Sequence, residues 1–388
     1  MSTTELAAEA GRDRAAALGA LHDDIAAHNM FPFWAATPGN EHDEVRRLMS
    51  ETRRAAPHLW SYARDIEPLL VKASRLISTV ESERRSLILV NPALAPRRAT
   101  VTTMYSAYRL NDPNEVMPAH RHSPSAIRFG LTGTQNFTGV EGEDMVFGPG
   151  DLVLTPHDTW HNHGNVGSEP AVNLSVLDLP LVETLNAIYF EHDYKEVEDG
   201  RAVAVKKQTA RFTPDYSQRI YGQGGYMPRF VSHRRGTGAA SPMYCYRWEP
   251  LRELLEQHKS WEGDPYEGLM VEYVDPTSGA PVFKTMTFFA QMLRPGERTR
   301  PLKQNASLLV TPFEGGGLGY SLVGGKRFDW QRFDTLAVPG GEWAEHVNES
   351  KTEPVVFFVA SDEPALRALG LHKKWGRTGA GDIERLVW

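Results

Sequence analysis

The feature that most constrains this chain is a pair of histidines one residue apart, His120 and His122, in the stretch Met117-Pro-Ala-His-Arg-His122. Alternate residues of a β-strand face the same way, so two imidazoles at this spacing share one face of a sheet. Further on come Gly150-Asp151, the apolar run Leu152-Val153-Leu154, Pro156, and then Trp160-His161-Asn162-His163. A His-x-His strand, met by a returning strand that carries another histidine, makes a three-imidazole clamp for a divalent metal. Such a clamp leaves coordination positions open for a substrate or a gas. Fe(II), Zn(II), Mn(II), Cu(II) and Ni(II) all suit the donor set. A single strand histidine is usually structural; here the period, the third histidine and the surrounding strands agree. His163 lies two residues beyond His161 and faces the same cavity. It is either a fourth imidazole or, the favoured reading, a donor toward substrate.

The texture around the clamp is β. From Ser86, short runs rich in Val, Thr, Phe and Tyr alternate with Gly and Pro: 87–90, 99–108, 126–131, 144–147, 151–155 and 171–177. This is the pattern of a jelly roll or barrel. A second β-rich block runs from about Val282 to Ala360 and repeats the first in outline. Asp151, Pro156 and Trp160 align with Asp334, Pro339 and Trp343, and His161 then falls on Ala344. His120 and His122 fall near Leu302 and Gln304. The reading is an internal duplication with one working metal site. Outside the barrels, 4–29 and 247–259 have helical spacing, and 60–76 does too, with Pro68 breaking it or starting a new helix. Residues 42–54 read as a solvated charged segment, and 180–235 as a connector. The expected division is therefore a helical N-terminal region (1–85), a barrel with the metal site (86–180), a connector with a helix (181–260), and a degenerate barrel without metal ligands (261–388).

Bulk properties exclude some functions. The net charge of −7 argues against non-specific nucleic-acid binding. No apolar run approaches the ~20 residues of a membrane helix, and the N-terminus lacks a signal-peptide pattern. Cys245 is the single cysteine, in an apolar setting, which fits a reducing cytoplasm.

The spacing Gly150-x5-Pro156-x4-His161-x3-Asn165, with the upstream His-x-His, resembles the two cupin motifs, although the glutamate usual after His-x-His is missing. The chain further resembles the bicupin gentisate 1,2-dioxygenase family, which includes salicylate and 1-hydroxy-2-naphthoate ring-cleaving dioxygenases. The matching stretches include Pro57-His-Leu-Trp60, Glu83-Arg84-Arg85, Pro118-Ala-His-Arg-His-Ser123, Ala126-Ile-Arg128-Phe129, Leu177-Asp178-Leu-Pro180 and Tyr246-Arg-Trp-Glu249. The fold class implied is mainly β: a cupin-superfamily bicupin of two jelly-roll barrels with an α-helical N-terminal region.

What the resemblance implies is an Fe(II) enzyme that opens the ring of an aromatic hydroxy acid with O2. It implies His120, His122 and His161 as iron ligands. It places Arg84, Arg128 and His163 at positions that hold the substrate carboxylate and reacting oxygens. Arg85, next to Arg84, belongs either to the site or to an ion pair. It also implies a homo-tetramer or another homo-oligomer. The substrate pocket departs from the family pattern. A pocket tryptophan is Tyr105, a glycine is Ala107, and a glutamine is Arg109. An upstream pocket arginine falls on Val80, and an acidic residue is Ser175, followed by Val176 where the family has glycine. Losing that carboxylate removes an acceptor for a second ring hydroxyl. The expected substrate is thus 1-hydroxy-2-naphthoate or a substituted salicylate, with gentisate possible. The rival readings are a metal-dependent cupin isomerase or hydrolase and a non-catalytic cupin that binds an aromatic acid.

Overall fold

The computed structural model describes residues 3–30, 54–77, 85–315 and 317–387. The chain divides into two compact units, 1–53 and 54–388. In the first, one α-helix spans Thr3–Ala27, where Ala-rich sequence favours it. Residues 42–53 of the charged segment lie outside the described residues.

The second unit is two antiparallel barrels. Each has a six-stranded sheet. In the first barrel its order is Cys245–Tyr246, Leu152–Thr155, Ala126–Thr132, Ala171–Leu177, Tyr105–Asn111, Ser86–Ile88. Glu143–Phe147, Asn136–Val140 and His161–Asn165 form a separate three-stranded sheet. In the second barrel the order is His58–Trp60, Thr335–Val338, Leu308–Glu314, Val355–Ser361, Thr287–Leu293, Leu269–Glu272. Its other sheet includes Gly319–Val323, Trp343–Asn348 and Leu302–Gln304. Among the described residues, no helix is long and apolar enough to cross a membrane.

Strand alternation explains how the barrels meet. On Ala126–Thr132, Ile127, Phe129 and Leu131 belong to the largest apolar core, and so do Tyr108 and Leu110 on Tyr105–Asn111 and Leu174 and Val176 on Ala171–Leu177. Phe288, Leu309, Phe313 and Phe358 of the second barrel complete the same core. Phe129 stacks on Phe358 with ring centroids 4.1 Å apart. The Tyr108 hydroxyl donates to the Phe333 carbonyl at 2.5 Å. The residues between these, at positions such as Arg109, Arg128 and Ser175, project to the opposite face, inside the first barrel.

A reciprocal polar pair ties the two halves. Asp178 follows the last strand of the first barrel. It accepts from the Ser125 amide of its own barrel at 2.8 Å and from the Thr285 hydroxyl at 2.5 Å. Asp362 does the same in the second barrel, accepting from the Ser307 amide at 2.7 Å and from the Thr103 hydroxyl. The spacing matches, so the duplication is visible in its polar joints as well as its strands.

Several elements differ from the sequence expectation. His58–Trp60 is a strand, not part of a helix, and it pairs with Thr335–Val338 of the far barrel. The helical stretch after it is a π-helical turn, Tyr62–Ile66, followed by the helix Glu67–Leu76 with Pro68 in its first turn, where its missing N–H costs nothing. Residues expected as a plain connector contain the hairpin Lys195–Glu198/Arg201–Ala204 and the strand Cys245–Tyr246, which pairs with Leu152 and Val153. The helix expected at 247–259 spans Trp248–His258.

Burial raises the carboxyls of Asp178 and Asp362 to about 6. A raised acid pKa means the folded state holds its proton more tightly than the unfolded chain. Stability from this pair is therefore fully present below about pH 4 and is lost as pH rises through about 6. The double variant Asp178→Asn/Asp362→Asn should lack that part of the slope. Denaturation midpoints of both proteins at pH 4.5 and 7 test this; equal pH dependence would contradict it.

Candidate active site

The clamp forms where two chain segments cross. His120 makes an isolated antiparallel bridge with His161, with backbone hydrogen bonds of 3.0 and 2.9 Å between them. His122 ends the short strand Arg121–His122. The crossing needs Gly164, because a Cβ there would meet the Glu115 carbonyl oxygen at 1.9 Å. Gly150 has a structural reason too: its φ is +86° and Trp248 packs against its Cα. Asp151 beside it caps the helix at Trp248, accepting from that amide at 2.9 Å, and pairs with Arg247 at 2.7 Å.

Four imidazoles gather at this crossing. Ring centroids are 4.4 Å apart for His120–His161, 4.7 Å for His122–His161, 5.7 Å for His120–His122 and 5.0 Å for His161–His163. Three of them share one hydrogen-bond pattern. Nδ1 of His120 lies 3.0 Å from the Pro118 carbonyl, Nδ1 of His122 2.8 Å from Pro124, and Nδ1 of His161 2.8 Å from Thr159. A carbonyl only accepts, so each Nδ1 carries the proton and the lone pair is on Nε2. Nε2 of His161 is buried without a hydrogen-bond partner. An orphaned buried nitrogen of this kind is what a metal ligand looks like without its ion. Burial, then the neighbouring His120 and His122, hold His161 well below the usual imidazole range, so it is neutral.

His163 differs. Among the described residues, the group whose nitrogens all lie within 4.8 Å of one another is His120, His161 and His163, with His163 in place of His122, so position alone admits His163 as a ligand. Its Nε2, however, sits 2.9 Å from Nη2 of Arg128, and its Nδ1 sits 3.3 Å from the Thr138 hydroxyl. A guanidinium has no acceptor, so the His163 Nε2 lone pair is already engaged. Burial, then Arg128, keep this imidazole neutral as well.

Beside the clamp is a cavity of about 180 Å³. Its wall contains His120, His122, Arg128 and His163, together with Tyr105, Ala107, Arg109 and Ser175. Arg109 is thus buried in the wall and not on the surface. Ser86, Ile88, Met117 and Leu177 also line it. Sequence reasoning missed these four, although Leu177 is legible as the next inward position after Ser175. Phe190 packs on His122 with centroids 5.5 Å apart, and His192 lies 6.1 Å from His120; both come from the segment read as a connector.

Two pocket expectations are corrected. Val176 faces away from the cavity, into the core between the barrels; its neighbours Ser175 and Leu177 face in, and alternation forbids all three. Arg85 is outside the wall. Its guanidinium bonds the Ser74 and Ile77 carbonyls and pairs with Asp112 at 2.7 Å and Glu115 at 2.5 Å. It still bears on the site, because Glu115 also pairs with Arg109 at 3.4 Å. Arg84 lies outside the described residues.

The second barrel is built on the same register with other residues at these positions. Leu302 pairs with Ala344 as His120 does with His161, so Gln304 matches His122 and His346 matches His163. Arg128 sits opposite Ser175, and at that register the second barrel has Val310 opposite Val359. Val310, Val359, Phe357 and Trp330 form an apolar cluster there, and the space beside Leu302 and His346 shrinks to about 30 Å³.

Known proteins fit this geometry. The cupin domain family matches residues 111–177. Gentisate 1,2 dioxygenase 1 of Aquipseudomonas alcaligenes is 31% identical over 359 residues, covering 91% of this chain and 95% of that protein. The chain belongs to the gentisate 1,2-dioxygenase family. Another relative, 5-aminosalicylate 1,2-dioxygenase of Comamonas sp., is 31% identical over 371 residues, covering 94% of this chain and 91% of its own length. Among solved structures, salicylate 1,2-dioxygenase of Pseudaminobacter salicylatoxidans matches with a TM-score of 0.78 at 26% identity, over 92% of this chain and 97% of that one. This member of the gentisate 1,2-dioxygenase family is a ring-cleaving dioxygenase with a bicupin fold. The isomerase, hydrolase and binding-protein readings are not favoured.

Glu115 is the shared counter-ion of two buried guanidiniums. Removing it takes a carboxylate from each, while Arg85 keeps Asp112 and Arg109 keeps Asn111, so Glu115→Ala should cost about 3 kcal/mol. Chemical denaturation of the variant measures this; a loss under about 1 kcal/mol would mean that solvent reaches the network.

Proposed function

We propose that this dioxygenase holds Fe(II) on His120, His122 and His161 and opens the ring of an ortho-hydroxy aromatic acid with O2. One observation carries the reading: three imidazoles give their Nδ1 protons to backbone carbonyls and leave their lone pairs on Nε2, and two of them, His120 and His122, stand at the wall of a cavity that also contains Arg128 and Arg109, with His161 packed directly against both. Neutral nitrogen donors of this kind suit Fe(II). When bound, the iron supplies the redox chemistry that brings O2 to the ring.

The chain's own groups orient the substrate. Arg128, with Arg84, holds the carboxylate through charge-assisted hydrogen bonds. His163 accepts from Arg128 and fixes the direction of its guanidinium. The expectation that His163 donates toward an oxygen gives way here, since its Nε2 is an acceptor in this arrangement. Arg109, held by Glu115 and Asn111, adds positive potential to the wall. In the reaction the bond between the carboxyl-bearing and hydroxyl-bearing carbons breaks and both atoms of O2 enter the product: the hydroxyl-bearing carbon becomes a carboxyl group and the carboxyl-bearing carbon a ketone, so a monohydroxylated acid gives an oxo-dicarboxylic acid.

Substrate choice follows from Ser175. It lines the cavity, and its hydroxyl donates to Asn173 Oδ1 at 3.4 Å. Where the family has a carboxylate, this chain offers a weaker acceptor. A ring hydroxyl left poorly paired costs roughly 1–3 kcal/mol. A monohydroxylated acid, 1-hydroxy-2-naphthoate or a substituted salicylate, is therefore preferred over gentisate. The protein acts as a homo-oligomer in the cytoplasm; exposed Tyr226 and Phe230 are apolar surface that a second subunit would cover.

Metal analysis and O2 uptake test the reading together. His122→Ala should lose bound iron and turnover while the barrels stay folded, and the wild type should hold one metal per chain. Iron retained at full occupancy in that variant, or a second equal site, would refute the ligand assignment. For the substrate, kcat/KM should favour the monohydroxylated acids by about one to two orders of magnitude over gentisate. Ser175→Asp should narrow that gap; a wild type that prefers gentisate would overturn the pocket argument alone.

A further inference from the structure

Thr138 lies behind His163, on the neighbouring strand Asn136–Val140, directly opposite it in register. Both residues are buried. The hydroxyl oxygen of Thr138 is 3.3 Å from His163 Nδ1, and His163 Nε2 is 2.9 Å from Arg128 Nη2. The proton count along this chain has one solution. Arginine only donates, so Nε2 of His163 accepts, and the single proton of the neutral ring sits on Nδ1 and is given to the Thr138 oxygen. We propose that Thr138 is a positioning residue for the substrate carboxylate: it holds His163 in the Nδ1–H tautomer, and the Nε2 lone pair then anchors the Arg128 guanidinium in the cavity wall. This rests on the reading of Arg128 as the carboxylate-binding group.

The second barrel isolates what is particular to the first. Ser321 and His346 form the same hydroxyl–imidazole pair at 2.7 Å, again opposite each other on neighbouring strands. Their barrel has Val310 where the first has Arg128. There the imidazole fixes nothing. Only in the first barrel does the tautomer set by the hydroxyl meet a guanidinium. Without the hydroxyl, a buried Nδ1–H has no acceptor, and the proton moves to Nε2. An N–H would then face the Arg128 N–H, and the guanidinium would turn away, keeping its bond from Nη1 to the Ile127 carbonyl.

Thr138→Val keeps the side-chain shape and removes the oxygen. The probes are salicylate and salicylamide, which share the ring and the hydroxyl and differ in the anionic carboxylate. Their dissociation constants are measured by calorimetry on iron-loaded protein without O2, so no turnover is needed. Thr138→Val should weaken salicylate about five- to tenfold, leave salicylamide within about twofold, and leave the iron content unchanged, while Thr138→Ser should bind as the wild type does. In a His163→Gln background, where the amide oxygen accepts from Arg128 without help, Thr138→Val should have no further effect; that background also serves if Thr138→Val alone fails to fold. Equal weakening of both probes, no weakening of either, or failure of Ser to restore binding would overturn the proposal. So would a wild type that binds salicylate no more tightly than the amide. Selective salicylate binding without O2 uptake would instead sink the ring-cleavage reading and leave Thr138 in place.

Discussion

Everything in the larger unit depends on the two-residue alternation of three adjacent strands, Tyr105–Asn111, Ala171–Leu177 and Ala126–Thr132. One face of this layer supplies Tyr108, Leu174 and Phe129 to the core between the barrels. The other supplies Arg109, Ser175 and Arg128 to the cavity wall. A shift of one residue in any of these strands would put a guanidinium into the apolar core and an aromatic ring beside the histidines. Stability and chemistry therefore share one register, and the apolar face specifies it.

The polar face then works by directed hydrogen bonds. Three carbonyls fix three imidazoles in one tautomer, and a hydroxyl with a guanidinium fixes the fourth. All four rings thus carry the proton on Nδ1 and differ in what meets the Nε2 lone pair: Arg128 engages that of His163, while that of His161 has no hydrogen-bond partner. Behind the wall, Arg85 and Arg109 share Glu115. This ties Arg85, just before the strand Ser86–Ile88, to Arg109, the partner of Ser86 on the neighbouring strand, so a residue outside the cavity wall supports one within it.

Much of this was legible in the sequence. His120, His122 and His161 announce themselves by spacing, and the barrel strands by their Val- and Phe-rich alternation. That Leu302 and Ala344 would stand together in the second barrel was readable from the repeat. What escaped has physical reasons. Asn136–Val140 is buried on both faces, with Val140 in an apolar cluster and Asn136 and Thr138 among polar groups, so it gives no amphipathic signal. Arg85 was ambiguous because its partners, Asp112 and Glu115, are near it only after folding. Val176 was misplaced when likeness to a family position outweighed strand alternation. Thr138 carries no local mark at all; its role depends on facing His163 across a strand pair.

The strand His58–Trp60 closes the edge of the second barrel's sheet against Thr335–Val338. An early piece of the chain thus waits for one of the last pieces. During synthesis the first barrel emerges with Ile127, Phe129 and Leu131 exposed, since their partners around Phe358 are not yet made. Such non-local contacts fold slowly and leave apolar surface open in the interval. In this chain that surface is the layer of Ile127, Phe129 and Leu131, which the second barrel's strands cover.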